Sequence, residues 1–414
     1  MASKYQAPRG TFDVLPVAAR ARGRIEALAA AIFARAGYEP IATPAFEDTE
    51  LFERGVGRST DIVRKEMFTF EDKGGRSITL RPEGTAPICR AYLEHGMHKL
   101  AQPVKLSYFG PFFRHERPQA GRYRQFHQLG IEAIGTDSPL ADAEAIMLLA
   151  DLLAELGVPG VELRLGSLGS PAARSAYLEE LKAHLRAHEA DLSRDVRERI
   201  EINPLRAFDA DDEGTRGVMR SAPTIVERLE GEDAEHFAEV RALLEGAGIA
   251  FEIDSTLVRG LDYYTRTIFS FVCDELGAQS EIGGGGRYDG LIEQLGGPAT
   301  PAVGWAAGIE RILLALDETE EAAGRDAFLA VADPGQRRRA LALVSELRHA
   351  GLTAEVDLAG RGLKGQLKHA DRIGARRVLI LEADGSAQLR DMASGEQRAV
   401  DPAGLIEAIG GESS

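Results

Sequence analysis

The sequence predicts an α+β body interrupted by a helical insertion and followed by a smaller α/β domain. Three observations predict it. Leu106–Phe113 and Gln125–Ile134 have the length and alternation of a long antiparallel pair. Pro171–Gly248 is polar and mostly helical in pattern, and residues 171–250 hold 11 Lys/Arg against 18 Asp/Glu. Residues 326–414 switch repeatedly between the strand period and the helix period, as a small α/β unit does. The expected divisions are 1–170 and 251–325 for the two parts of the body, 171–250 for the insertion, and 326–414 for the last domain. A length of 414 residues suits two or three domains.

The elements follow in order. Val17–Ala36 sets Ile25, Leu28, Ile32 and Phe33 on one helical face, and Gly37 ends it. Tyr38–Pro44 is extended and punctuated by prolines. Ser77–Leu80 and Lys105–Tyr108 have strand character. Asp137-Ser-Pro139 caps a helix through Leu156, with Ile146, Leu149, Leu153 and Leu156 as its buried stripe. Strand character returns from Ala250 to Cys273. A glycine run follows at Gly283–Gly286, and Ala302–Leu316 is a small-residue segment leading into a helix. Asp317–Arg325 is a charged linker. Beyond it come strand Ala327–Val331, helix Gly335–Gly351, strand Thr353–Val356, helix Leu363–Ile373 and strand Arg377–Leu381. The helix from Leu363 places Lys364, Lys368 and Arg372 on one face, with Arg361, Arg376 and Arg377 flanking it.

Composition excludes several classes. A formal charge of −16 argues against indiscriminate nucleic-acid coating and leaves room for an RNA that meets local basic patches. Cys89 and Cys273 are far apart and outside any metal-ligand spacing, which speaks against a disulfide scaffold or a zinc site and for a reducing cytoplasm. The first residues lack the apolar core of a signal peptide, and no apolar run approaches the ~18 residues of a membrane span.

Charge reverses locally between Val104 and Gln128, where five Lys/Arg face one acidic residue. Arginine's planar paired donors fit phosphate oxygens, so a polyphosphate ligand accounts for the reversal. Arg114 and Glu116 alternate on a strand and share one face, and Arg122 and Arg124 share a face on the return, with Phe126 and Gln128 following in the same alternation: a cation, an aromatic plate and a polar group, as suits a nucleotide. The alternative is a solvated hairpin with surface ion pairs. Leu80-Arg-Pro-Glu-Gly-Thr85 offers Glu83 and Thr85 to an ammonium group, or else a helix N-cap. In Leu257–Thr267, Gly260 lets Arg259 turn inward, while Tyr263 and Tyr264 face opposite ways if extended. Ile282–Gly290 is neither a P-loop nor a dinucleotide fingerprint, and its four glycines mark close backbone approach to a ligand or another strand. Gly304–Arg311 leads small residues into a helix with Arg311 inside it. His115 and His127 flank the arginine loop with no carboxylate partner evident, and are expected to pack.

Together these segments resemble the bacterial histidyl-tRNA synthetases over nearly the whole chain. Gly37–Pro44 looks like class II motif 1, Phe113–Glu132 like motif 2 and Gly308-Ile-Glu-Arg311 like motif 3. Arg259-Gly-Leu-Asp-Tyr-Tyr264 and Gly285-Gly-Arg-Tyr288 look like the two histidine signatures. The resemblance implies a six-stranded antiparallel catalytic sheet, a homodimer joined through motif 1, and a C-terminal anticodon-binding domain. It implies ATP as substrate, with Mg2+ accompanying it, L-histidine, and a histidine tRNA. The implied catalytic residues are Arg259, Arg114 and Gln128. Glu83, Gly84, Thr85, Tyr263 and Tyr288 belong to the implied histidine site, with Glu132 and Tyr264 on the imidazole nitrogens and Arg114, Gln128 and Arg259 beside the reacting group. Arg114 and Arg259 approach the α-phosphate, Phe126 stacks on adenine, Glu116 contacts its ring, and Arg122 and Arg311 hold the outer phosphates. Arg117 and Gln119 are implied at the tRNA acceptor end, and Arg361, Lys364 and Lys368 at the tRNA in the last domain. Two segments depart from the family: Gly166 stands where Asn is usual, and Phe208–Glu213 is unusually acidic. A second class of function is a non-catalytic paralogue regulating the ATP phosphoribosyltransferase of histidine biosynthesis. Such chains typically lack the anticodon domain and parts of motif 2 and of the Arg-Gly-Leu-Asp-Tyr-Tyr signature, all present here.

Overall fold

The computed structural model describes residues 5–58, 60–273, 276–277, 280–316, 324–401 and 404–410. Residues 317–323 of the expected linker lie outside the described residues. The chain forms two units, Met1–Glu318 and Thr319–Ser414.

In chain order the strands are β1 (Glu39–Pro40), β2 (Phe46–Asp48), β3 (Phe68–Glu71), β4 (Ser77–Leu80), β5 (Val104–Phe113), β6 (Gln125–Ile134), β7 (Val161–Ser167), β8 (Glu252–Ile253), β9 (Thr265–Cys273), β10 (Glu281–Arg287), β11 (Ala302–Gly308), β12 (Arg325–Val331), β13 (Ala354–Val356), β14 (Ala375–Leu381), β15 (Ala387–Asp391) and β16 (Gln397–Ala399). The main sheet runs β1-β5-β6-β11-β10-β9-β7-β8. Its six inner strands are antiparallel, as the resemblance implies. The two-residue strands β1 and β8 add parallel edges.

Each face of this sheet has its own apolar layer. On one, the helix Pro16–Arg35 brings Ile25, Ala29, Ile32 and Phe33, and the helix Pro139–Glu155 brings Ile146, Leu149, Leu152 and Leu153, against Leu129, Ile131 and Trp305. Pro139 at the first helical turn and the Ser138 hydroxyl accepting from Leu140 N start the second helix. A fully buried ion pair locks that helix to the end of β10. Arg287 donates to Asp142 from Nε (2.9 Å) and Nη2 (2.7 Å), and its remaining donors reach Thr136 O, Ser138 O and Asp289. A buried pair persists when its geometry is this fully satisfied. The other face is aromatic, with Tyr92, Tyr108, Phe112, Tyr263, Tyr264 and Tyr288, and it floors a cavity.

The insertion has a core of its own, built from Tyr177, Leu181 and Leu185 of the helix Pro171–Ala187 with Leu192, Val196, Leu205 and Val218. It is tied to the body by Arg206 Nη2 to Asp61 Oδ2 (2.8 Å) and by Arg174 Nη1 to the Tyr264 carbonyl (3.1 Å). The departure at Gly166 has a steric reason here, since a Cβ would lie 2.9 Å from the Asp254 carbonyl. A small sheet, β2-β4-β3, completes the first unit. In the second unit the order is β13-β12-β14-β15-β16, parallel through β14 and antiparallel beyond, with helices Arg337–His349 and Leu363–Arg372.

Three local expectations change. β5 stops at Phe113 and β6 starts at Gln125, so Arg114, Glu116, Arg122 and Arg124 lie on a loop, not on alternating strands. The loop is pinched by a bridge between Gln119 and Arg122. The strand expected over Ala250–Cys273 is broken, and Arg259–Tyr264 turns instead of extending. Glycine and the need to bring both tyrosines to the sheet's aromatic face favour the turn.

Candidate active site

A cavity of about 730 Å³ opens over the aromatic face of the main sheet. It collects segments far apart in sequence: Glu83, Gly84 and Thr85; Arg114, Glu116, Arg122, Phe126 and Gln128; Arg259, Tyr263 and Tyr264; and Arg311. Its volume is in the range of small-molecule sites.

One end is acidic. Glu83 is buried and accepts from Thr85 N (2.7 Å) and Ala86 N (3.0 Å), starting the helix Thr85–Glu94. The capping reading of this segment holds, and the same carboxylate faces the Tyr263 hydroxyl at 3.5 Å on the cavity wall. Gly84 is needed here, as a Cβ would press to 2.8 Å from the Tyr108 ring. Burial raises the Glu83 carboxyl above its ordinary value.

Glu132 on β6 lies beneath, with no exposed surface. It accepts from Thr85 Oγ1 (2.7 Å) and from the Tyr288 hydroxyl (2.5 Å). Burial pushes its carboxyl up to about 8, with the nearby Glu83 adding to the rise against the two hydroxyl donors. Glu132 fits because β11 carries Gly304 beside it. A Cβ there would overlap Glu132 Oε2 and the Ile131 carbonyl. Gly304→Ala is expected to cost about 1–3 kcal/mol of stability by overpacking, measurable as a lowered thermal midpoint. Wild-type stability would show that Glu132 has room to move.

Tyr263 and Tyr264 do not face opposite ways. Both are buried, with ring centroids 4.7 Å apart, because their segment turns. Tyr288 packs edge-on to Tyr263 at 5.7 Å.

The other end is cationic. Arg114 donates from Nε to the Pro82 carbonyl (2.9 Å) and lies 5.4 Å over the Phe126 ring. Arg122 Nε is 2.8 Å from Glu116, which is itself 4.0 Å from Arg114. Arg311 Nη1 donates to the Glu281 carbonyl (2.6 Å). Arg259 pairs with the Glu281 carboxylate and lies 5.7 Å over the Tyr264 ring. The Gln128 amide oxygen, in the cavity lining, is buried with no hydrogen-bond partner among the described residues. A buried orphan acceptor beside a cavity is poised for a donor on a ligand.

Sequence reasoning missed several contributors. Glu281 stands alone before the glycine run and carries no pattern. Glu310, within the Gly308–Arg311 segment, accepts from His127 N and contacts His127 Nδ1 at 2.9 Å, fixing the helix Ile309–Leu316 against β6. His127 thus does have a carboxylate partner. His115 packs on Phe68, as expected of it. Asp61, Glu66, Arg206 and Asp209 form part of the rim. Arg117 and Gln119 are exposed on the loop. In the second unit Lys364 and Lys368 are exposed on one helix, and Arg361 pairs with Asp357 at 2.6 Å.

The family model described as Histidyl-tRNA synthetase matches residues 10–312, and that described as Anticodon binding domain matches 326–412. The histidine–tRNA ligase of Thermosynechococcus vestitus is 48% identical over 398 residues, covering 95% of this chain and 93% of its own. That of Rubrobacter xylanophilus is 48% identical over 422 residues, covering 98% and 100%. The crystal structure of S. aureus histidyl-tRNA synthetase superposes with a TM-score of 0.82 at 35% identity, over 98% of this chain and 99% of that one. An ATP phosphoribosyltransferase regulatory subunit/histidyl-tRNA synthetase from Bacillus halodurans shares the fold, with a TM-score of 0.67 at 23% identity over 89% of this chain and 97% of that one.

Proposed function

The chain belongs to the histidyl-tRNA synthetase family, and from that membership we propose that its cavity activates L-histidine with ATP and transfers the histidyl group to a histidine tRNA. The observation that carries the reading is what the cavity gathers: Glu83, Thr85, Tyr263 and Tyr264, with the buried Glu132 behind them tied to Thr85 and Tyr288, together with Arg114, Arg122, Arg259 and Arg311.

In the first step a histidine carboxylate oxygen attacks the α-phosphorus of ATP. The bond to the β-phosphate oxygen breaks, giving histidyl-adenylate and pyrophosphate. In the second, the 3′-terminal ribose hydroxyl of the tRNA attacks the histidyl carbonyl and AMP leaves. Glu83 and Thr85 receive the α-ammonium group, and the unpartnered Gln128 oxygen is a further acceptor for it. Glu132 and Tyr264 bind the imidazole nitrogens. Paired polar groups of this kind reject apolar analogues by about 10⁴–10⁵, so selection needs no editing step. Phe126 stacks on adenine, with Glu116 near its ring. Arg122 and Arg311 take the outer phosphates. Arg114 and Arg259 flank the α-phosphate. A guanidinium ~4 Å from a unit negative charge, at an effective dielectric of ~20, gains about 4 kcal/mol before desolvation.

Mg2+ enters with the nucleotide as part of the substrate, its donors being mainly phosphate oxygens and water. Among the described residues no three acidic, histidine or cysteine side chains gather to hold a metal. Motif 1 and the β2-β4-β3 sheet are proposed as a homodimer face, since Phe46 and Phe70 lie on one side of that sheet and are 52% and 47% exposed. A cytoplasmic location is proposed on the same family grounds. No helix among the described residues is long and apolar enough to cross a membrane. A regulatory role is disfavoured by the anticodon-domain match and by 48% identity to ligases.

Labelled histidine should pass to tRNA only with ATP present. Absence of charging with intact protein and matched tRNA would sink the proposal. Removing residues 326–414 should reduce charging at least tenfold more than histidine-dependent pyrophosphate exchange, because the exposed cations at Lys364 and Lys368 act on tRNA alone. Equal loss of both would contradict that division of labour.

A further inference from the structure

We infer that Glu281 is an internal counter-anion of Arg259, which a nucleotide phosphoryl oxygen must displace, so that the site favours a tethered polyphosphate over small free anions. The inference rests on the nucleotide site proposed above.

Glu281 opens β10. Strict alternation would set it on the same face as Gly283 and opposite Gly284. A register shift between Glu281 and Gly283 breaks the alternation. The carboxylate then lies over Gly284, where an added Cβ would be 2.9 Å from Glu281 Oε1 and 3.0 Å from Arg259 Nη1. One residue thereby engages two of the arginines assigned to phosphate: its side chain holds Arg259 and its main-chain carbonyl holds Arg311. Arg259 keeps a donor in reserve, since its Nε is buried without a hydrogen-bond partner among the described residues. Burial pushes the Glu281 carboxyl up, but Arg259, Arg311 and Arg114 more than offset it, so the group is charged at neutral pH.

A carboxylate on the same chain competes at an effective concentration of about millimolar or above. Inorganic phosphate or AMP, binding through few contacts, competes poorly against it. ATP brings adenine stacking and two further phosphates on Arg122 and Arg311, and these offset the cost of displacing Glu281. After transfer to tRNA, return of Glu281 to Arg259 would also favour release of AMP.

Direct calorimetric titration of AMP and of inorganic phosphate into wild type, Glu281→Gln and Glu281→Ala tests the idea, alongside KM for ATP in histidine-dependent exchange. Removing the charge should tighten AMP and phosphate by roughly tenfold, the scale of one charge-assisted hydrogen bond. KM for ATP should change less. Unchanged or weaker AMP binding in whichever variant retains the wild-type thermal midpoint would overturn the inference, and would mean that Glu281 merely positions Arg259. The titration reads Arg259's anion affinity directly, so absence of histidine-dependent exchange in wild type would count against the functional proposal without masking the result for Glu281.

Discussion

Arg259→Ala should reduce histidine-dependent ATP–pyrophosphate exchange by roughly 10³–10⁵, the loss seen when comparable arginines are removed from phosphoryl-transfer sites. The protein should remain folded. Arg259 contacts Glu281 and the Tyr264 ring at the cavity wall and contributes nothing to the apolar layers of the sheet. Its removal takes away one of the two cations proposed to flank the α-phosphate, leaving Arg114, which is anchored separately through the Pro82 carbonyl. Pre-positioned charge of this kind acts where negative charge develops in the transition state. Exchange assays paired with thermal unfolding check both halves. Exchange within tenfold of wild type would remove Arg259 from the reaction.

Glu132→Gln should move activity and stability in opposite directions. The Glu132 carboxyl is raised from an ordinary 4.5 to about 8. At pH 7 it is protonated in the folded protein and ionised in the unfolded chain, so folding must take up a proton. The sign follows: its stabilising contribution is greatest below pH 4.5 and is lost as pH rises toward 8. At pH 7 the handicap is about 3 kcal/mol. Glutamine keeps the shape and an acceptor for Thr85 or Tyr288 without the titration, so the thermal midpoint should rise by several degrees and fall less steeply with pH between about 5 and 8. The same change should lower kcat/KM for histidine by about tenfold, the worth of a hydrogen bond between the carboxyl and the imidazole that an amide does not reproduce. A buried carboxyl group kept for binding would thus cost stability that function retains. A variant no more stable than wild type at pH 7, or one with unaltered kcat/KM, would contradict this assignment.

Legibility in the sequence tracked the length and period of each element. The helix at Pro16–Arg35, the β5–β6 pair and the alternating last domain are long enough for period to show. β2, β3 and β16 span three or four residues and are largely exposed, so no burial pattern marks them. The cavity residues were legible because they cluster in a few dense segments, the arginine loop above all. What stayed hidden depends on geometry beyond pattern. Tyr263 and Tyr264 share a face because Arg259–Tyr264 turns. Glu281 reaches the cavity because β10 bulges. Glu310 meets His127 only because the helix from Ile309 docks on β6. Each is a tertiary consequence of one irregular backbone position, and a lone acidic residue in a sequence does not announce it.

In the proposed function one cavity reads histidine through Glu83, Thr85 and Glu132 and ATP through its arginines. Pyrophosphate exchange into ATP, with each of the twenty amino acids supplied in turn, tests it most directly. Histidine alone should support exchange, with every other amino acid lower by about 10⁴ or more. Exchange driven by another amino acid, or none with histidine, would contradict it.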